Sequence, residues 1–269
     1  MYFISLILGI IQGITEFLPI SSSGHLIVFR DILNFQITDS LSFDIALHLG
    51  TLLAIIIYFA KPTKILLIAW FKSFKNLKKL SDDQKIAWLI ILGSIPAVFV
   101  GVFFSELIDL YIRNTLTVII TLIAGGILFL IIEKFYKAKL EIKDLTWKSA
   151  LTIGIAQAIA LIPGVSRSGI TIITGMGFKL QRTEAARFSF VLGIPIMLGA
   201  SIWSAIKLDY SALGRGDLYL FIIGIVSAAI IGFLAIKFLL AILKKYSMRP
   251  FAYYRFLLAI VLIIYLILK

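Results

Sequence analysis

Gly9-Ile-Ile-Gln12-Gly-Ile-Thr-Glu16-Phe-Leu-Pro19-Ile-Ser21-Ser22-Ser23-Gly24-His25 sets a short polar passage inside an apolar stretch. Gly154-Ile-Ala-Gln157-Ala-Ile-Ala-Leu-Ile-Pro163-Gly-Val-Ser166-Arg167-Ser168-Gly169 sets nearly the same passage a second time. Gln12 aligns with Gln157, Pro19 with Pro163 after a one-residue gap, and Ser21-x-Ser23-Gly24 with Ser166-x-Ser168-Gly169. A Pro/Gly/Ser interruption leaves backbone groups without partners, which a bilayer tolerates only where the chain lines a cavity or is buried in protein. Two such interruptions, in corresponding positions of two halves, point to one site built at a repeat interface.

The surrounding sequence is that of a membrane protein. Of 269 residues, 61% are hydrophobic and 15% charged, and the mean hydropathy is +1.05. A soluble domain runs nearer half apolar and a quarter charged. Long apolar runs at 43–60, 86–105, 116–133, 187–206, 217–240 and 251–268 predict six spans. No removable signal peptide is read at the start, where a short apolar region followed by a small-residue cleavage site is missing. The absence of cysteine excludes disulfides and thiolate metal sites. The net charge of +12 does not imply a nucleic-acid partner, because basic loops held on the cytoplasmic side account for it.

The two motif regions, 3–34 and 149–179, each read as two short helices with a turn at membrane depth, the Pro marking the break and Ser-Gly the turn. Lys and Arg test that layout. Segment 61–85 carries seven, 134–148 five, 179–187 three and 237–255 five. If each hairpin returns to its own side, all four segments fall on the cytoplasmic face, and both termini lie outside. One hairpin plus three spans is an odd number of crossings, so the second unit is expected upside down. Ser42-Phe43 after the first hairpin and Ser189-Phe190 after the second extend the match. The expected fold is an all-α polytopic membrane protein forming a single integral domain over 1–269. It has six transmembrane helices plus two re-entrant helical hairpins in an inverted-topology repeat, repeat 1 covering about 1–135 and repeat 2 about 149–269.

The chemistry centres on Arg167. A guanidinium at membrane depth costs about 2.5–3.5 kcal/mol, so it marks a functional site by default. Ser166, Ser168 and Thr171 add hydroxyls, Gly164 and Gly169 let backbone amides approach a ligand, and such donors around a fixed positive fork suit a phosphate. The plainer reading is a structural clamp in which Glu16 neutralises Arg167. Glu16 follows Gln12 by four residues, so both project from one helix face. There they are candidates to hold a hard divalent cation, Mg²⁺ or Ca²⁺, or Glu16 to move a proton. His25 follows three serines and titrates near neutral pH, which suits acid/base work on a hydroxyl or a leaving oxygen. Asp44 and His48 form another i,i+4 pair, equally consistent with support of the site and with a structural hydrogen bond. The basic run Lys72–Lys79 reads as a solvated loop touching anionic lipid head groups.

Together these residues resemble the undecaprenyl-diphosphatase family associated with bacitracin resistance. Its (E/Q)xxxE helix running into Pro-x-Ser-Ser-x-Gly-His is matched by Gln12 to Glu16 and Pro19 to His25, and its PGxSRSxxT segment by Pro163 to Thr171. Phe43-Asp-Ile-Ala-Leu-His-Leu-Gly-Thr51 also looks familial, and the likeness runs the length of the chain. The resemblance implies hydrolysis of a polyprenyl diphosphate to the monophosphate and phosphate, recycling the lipid carrier of cell-envelope polymers. It implies that Arg167 holds the diphosphate with Ser23, Ser166, Ser168 and Thr171, and that Glu16, with Gln12, binds metal or handles protons. Ser22 would be the nucleophile and His25 its acid/base partner, with metal-activated water as the alternative attack. Gln12 puts an amide where the pattern also admits a carboxylate. The expected setting is the plasma membrane, with the cleft open to the outer face and a homodimer as the candidate assembly. A transporter or flippase of the same lipid is the rival, since inverted repeats with broken helices are transporter architecture. The acid-phosphatase-like lipid phosphatases are excluded, because they need a His six residues after the Arg and position 173 is Ile.

Overall fold

The breaks expected at Pro19 and Pro163 organise the fold seen in a computed structural model, which describes residues 1–32, 40–207 and 215–268. Residues 33–34 of the expected first hairpin and Lys269 lie outside that range, as do the side chains of Arg30, Ser42, Lys207 and Arg215. Eleven α-helices run in chain order among the described residues: α1 Tyr2–Phe17, α2 Ser22–Ile32, α3 Ser40–Tyr58, α4 Ala60–Ser73, α5 Asp82–Tyr111, α6 Thr115–Phe135, α7 Trp147–Ile159, α8 Arg167–Gly177, α9 Arg182–Lys207, α10 Arg215–Leu243 and α11 Arg249–Leu268.

Five helices, namely α5, α6, α9, α10 and α11, are long and apolar enough to cross a membrane. The bent pair α3–α4 brings the number up to six if it is counted as one span. The chain is therefore an all-helical, multi-pass membrane protein. Its outward surface is apolar, with Ile120, Ile127, Leu257 and Ile264 among many exposed side chains, as lipid rather than water contact requires. The apolar run at 43–60 continues into α4 after a bend of 82°. Pro62 explains the bend: its ring clashes with the carbonyl four residues back and it has no N–H to extend α3, whereas both features are harmless in the first turn of a new helix. The run expected at 86–105 becomes the 30-residue α5. A capping box starts it early, with Ser81 Oγ accepting from Gln84 N and Ser81 N donating to Gln84 Oε1 at 2.9 Å.

α1 packs along α10 and α7 along α5, while α3 packs on α9 and α6 on α11. The first two contacts are close because they are glycine contacts. A Cβ on Gly9 would overlap Ser227 and the Gly224 carbonyl of α10, and a Cβ on Gly154 would overlap the Gly93 carbonyl of α5. Phe17, Phe59 and Phe190 meet in the core between the elements, with Phe17 edge-on to Phe190 at 5.4 Å.

One basic residue departs from the expected distribution. Arg255, counted above with the cytoplasmic run 237–255, is fully buried in α11. Its guanidinium is taken up by backbone carbonyls, so the solvent-facing charge of that segment comes from Lys237, Lys244, Lys245 and Arg249.

Gly154→Ala places a methyl group against the α5 backbone, which has no side chain to swing aside. We expect it to destabilise the protein by about 1–3 kcal/mol. Thermal unfolding in detergent reads this as a lowered midpoint, with Ala156→Gly, on the same helix, as a comparison that creates no overlap.

Candidate functional site

Each helix break is dictated locally. Leu18, ending α1, is extended at φ −65°, ψ 136°, as the residue before a proline must be. Ser21 and Ser166 then both adopt positive φ, 75° and 70°, and Gly164 does so at 88°. Each serine caps the helix that follows: Ser21 Oγ accepts from Gly24 N at 3.3 Å and Ser166 Oγ from Gly169 N at 3.2 Å. The next hydroxyl in each pattern sits alongside, Ser23 at 3.4 Å from Ser21 Oγ and Ser168 at 3.3 Å from Ser166 Oγ. The sequence repeat is thus also a repeat of turn geometry.

The turns meet. Arg167 Nη2 donates to Glu16 Oε1 at 3.0 Å, an ion pair with side-chain exposures of 12% and 5%. Ser168 Oγ donates to the Glu16 carbonyl at 3.1 Å, and Gly164 N donates to Ser23 Oγ at 3.2 Å. The other carboxylate oxygen of Glu16 accepts from Ser22 Oγ at 2.9 Å and from Gln12 Nε2 at 3.0 Å. Arg167 Nη1 is buried without a partner. It passes over Gly193 of α9, where a Cβ would occupy its place.

A cleft of about 220 Å³ opens on this group, lined by Glu16, Ser22, Ser23, Ser166 and Arg167. Ser168 and Thr171 do not line it. Ser168 holds the Glu16 main chain, and Thr171 Oγ1 bonds the Arg167 carbonyl at 2.7 Å and Ser189 Oγ at 2.6 Å, supporting Arg167 from behind. His25 also lies off the cleft lining. Its Nδ1 is 2.7 Å from the Ser21 carbonyl and its Nε2 2.8 Å from Tyr254 Oη, with the ring stacked between Phe29 and Tyr254. The histidine at the cleft is His48, its Nδ1 3.2 Å from Glu16 Oε2 and 2.9 Å from Gln12 Nε2. Arg113, from the α5–α6 connection, lines the same cleft and pairs with Asp44 at 3.6 Å. The Asp44/His48 spacing pointed toward His48; Arg113 carries no sequence signal beyond its charge.

Glu16 Oε2, the Gln12 amide and His48 Nδ1 crowd one point, and Gln12 Oε1 is buried without a partner. Turning the amide over would bring Gln12 Oε1 against His48 Nδ1, where it accepts from an Nδ1–H tautomer and otherwise joins Glu16 Oε2 as a second oxygen acceptor. Glu16 and Gln12 are thus the oxygen donors here that a hard cation would take. Among the described residues, no cluster of three or more His, Cys, Asp or Glu forms an all-protein cage. A larger cleft of about 520 Å³, between Tyr58, Lys61, Ile86, Arg187 and Leu240, has mainly apolar walls and none of this cluster.

Removing one partner of a buried ion pair strands the other's charge, at a cost of about 3–5 kcal/mol, whereas removing both charges does not. Arg167→Leu should therefore lower the unfolding midpoint clearly, and the double variant Glu16→Gln/Arg167→Leu should recover most of the loss. Thermal unfolding of the three proteins in detergent checks this; equal stability of the single and double variants would show that the pair contributes nothing to the fold.

Comparison with known proteins places nearly the whole chain in one family. The family described as Bacitracin resistance protein BacA matches residues 5–261. Undecaprenyl-diphosphatase 1 of Pseudoalteromonas translucida is 42% identical over 263 residues, 97% of each chain. Undecaprenyl-diphosphatase of Thermodesulfovibrio yellowstonii is 47% identical over 264 residues, 97% of this chain and 95% of its own, and that of Rubrobacter xylanophilus is 39% identical over 257 residues, 95% and 94%. With both turn motifs in place and the match running nearly end to end, the chain belongs to the bacitracin resistance protein BacA family.

Proposed function

We propose that this protein hydrolyses undecaprenyl diphosphate to undecaprenyl monophosphate and inorganic phosphate, recycling the lipid carrier for envelope polymers and conferring bacitracin resistance. One observation carries the mechanism: Ser22 and Arg167, from different turns, bond the two oxygens of the same carboxylate, Glu16. A hydroxyl is thereby held on a base, beside a cation that lines the same cleft of about 220 Å³. The prenyl tail stays in lipid.

Arg167 Nη1 donates to the terminal phosphate, and Ser166 and Ser23 add hydroxyls at the cleft wall. Glu16 takes the Ser22 proton while Ser22 Oγ attacks the terminal phosphorus. The Oγ–P bond forms, the bond to the bridging oxygen breaks, and undecaprenyl monophosphate leaves. Water then attacks the phosphoserine; the P–Oγ bond breaks, Glu16 returns its proton to Ser22 Oγ, and the phosphate leaves carrying the water's oxygen and its protons. Glu16, Gln12 with its amide turned and His48 are the residues that would hold Mg²⁺ or Ca²⁺, whose contribution when bound is to neutralise charge on the diphosphate oxygens. Both ring nitrogens of His25 are engaged, on the Ser21 carbonyl and on Tyr254 Oη, so a direct proton exchange with Ser22 requires one of those bonds to be given up.

The reading extends to topology. The paired turns, with α1 on α10 and α7 on α5 as reciprocal contacts, support two re-entrant hairpins related by an inverted repeat, repeat 1 over about 1–135 and repeat 2 over about 149–269. The basic segments then face the cytoplasm in the plasma membrane, with both termini and the cleft on the outer side.

Purified protein in detergent should release phosphate from undecaprenyl diphosphate, lose activity with a chelator and regain it with Mg²⁺ or Ca²⁺. Ser22→Ala should lose on the order of 10³-fold or more in kcat. Acid quenching during turnover of substrate labelled in the terminal phosphate should leave label on the wild-type protein and none on Ser22→Ala. Activity without a labelled protein would replace Ser22 by water as the nucleophile, and no phosphate release under any metal condition would favour lipid transport.

A further inference from the structure

Arg255 has no place in the chemistry above, yet it is the largest fully buried side chain in the protein. Among the described residues no carboxylate pairs with it. All three guanidinium nitrogens are spent on main-chain carbonyls instead. Nε donates to Leu122 O at 3.2 Å; Nη2 donates to Thr121 O at 2.9 Å and Gly164 O at 3.0 Å; Nη1 donates to Val165 O at 3.1 Å, with Pro19 O at the weak distance of 3.5 Å. Two of these carbonyls belong to α6, two to the second turn and one to the first. The guanidinium lies over the Phe129 ring at 5.4 Å, and Gly125 of α6 has no Cβ because Arg255 Nη2 fills that space.

The targets are informative. Gly164 has φ 88° and Val165 precedes Ser166 at φ 70°, so Arg255 grips the two peptide units that make the second turn. Thr121 Oγ1 donates to the Pro163 carbonyl at 2.8 Å, which gives all three successive carbonyls of Pro163-Gly164-Val165 a donor from outside the turn. Arg167 leaves this turn as the first residue of α8. The neighbouring Tyr254 meanwhile holds His25 of the first turn. One turn of α11 thus touches both breaks, from the side away from the cleft.

We propose that Arg255 is a positioning residue, which fixes the register of the two turns and so the placement of Glu16 and Ser22 against Arg167. A planar fork with five N–H donors spans carbonyls on three segments; a lysine ammonium presents three donors at one point and does not. A displacement on the order of 1 Å between reacting groups is enough to cost about 10²-fold in rate. The inference rests on the reading that the two turns form one phosphatase site.

The experiment compares kcat, KM and unfolding midpoint for wild type, Arg255→Lys, Ser168→Ala and the double variant, on undecaprenyl diphosphate in detergent. Ser168 is the comparison because its hydroxyl makes an independent tie between the turns, to the Glu16 carbonyl. Arg255→Lys is expected to stay folded and to lose about 10- to 100-fold in kcat, with KM within about threefold. The double variant should lose less than the product of the two single losses, since both ties serve one register. An Arg255→Lys protein with a lowered midpoint but wild-type kcat, or single losses that simply multiply, would overturn the proposal by making Arg255 a packing residue. If Arg255→Lys does not fold, Thr121→Val releases only the Pro163 carbonyl and should show a smaller kcat loss of the same kind; an unchanged kcat there overturns it as well. Wild-type protein that releases no phosphate, or Ser22→Ala with full activity, would instead remove the phosphatase reading itself.

Discussion

A helix that breaks inside a packed apolar interior frees N–H and C=O groups that apolar neighbours cannot satisfy, and the rest of this structure follows from that constraint. The protein meets it twice with the same device. A serine at positive φ caps the following helix with its own hydroxyl, while the carbonyls of the turn go to donors brought from elsewhere. In the first turn the donor is His25, on the Ser21 carbonyl. In the second turn the donors are Thr121 and Arg255. The polar side chains needed to permit a break in such an interior are, by the same token, what makes the break a place where chemistry can happen.

That constraint also explains which parts were legible in the sequence. Pro19 and Pro163 forbid helix locally, Ser-x-Ser-Gly supplies a cap locally, and apolar runs of span length need no tertiary information, so breaks, caps and most spans can be read directly. Glu16 and Arg167 stood out because charge is rare in such surroundings, while Ser22 was set apart from its neighbouring serines only by the family resemblance; the structure brings Ser22 and Arg167 onto the Glu16 carboxylate. Arg255 was hidden because it stands a few residues after Lys244, Lys245 and Arg249, and only the fold shows that α11 has by then carried it into the core. His25 and His48 exchanged prominence for a related reason. Adjacency to serines in sequence favoured His25, but helix α2 turns its ring onto Tyr254, whereas α3 delivers His48 to the cleft from 32 residues beyond Glu16. Pro62 shows the same limit on helix ends: the apolar run could be seen, while the 82° bend depends on which turn of which helix the proline enters.

The two copies of the turn are most informative where they differ. Position for position, the first places Ser22 where the second places Arg167, immediately after the capping serine. In both copies that residue begins a short helix and bonds the Glu16 carboxylate, so a hydroxyl and a guanidinium reach one acid from equivalent places in the two copies. The carboxylate that receives both comes only from the first copy; the second has no acid in the stretch between Gln157 and Pro163. A duplicated element can therefore bring one carboxylate, one hydroxyl and one guanidinium together without further scaffolding, provided the two turns are held in register.

Gln12 and His48 then take on a specific meaning. With an amide at position 12, Glu16 is, among the described residues, the one carboxylate bonded at the meeting point of the turns, and it already serves Arg167 and Ser22. A second carboxylate four residues earlier would add a charge that Arg167 alone cannot balance, at a depth where unbalanced charge is expensive. The amide avoids that charge and leaves one oxygen without a partner, and His48 stands where it adds a ligand or a donor without adding a second negative charge. The polar cluster is thus close to neutral as it stands and has room for additional positive charge only together with the negative charge of a diphosphate. Under the proposed function, a cation and the head group would reinforce one another's binding, each supplying the charge that makes burial of the other tolerable.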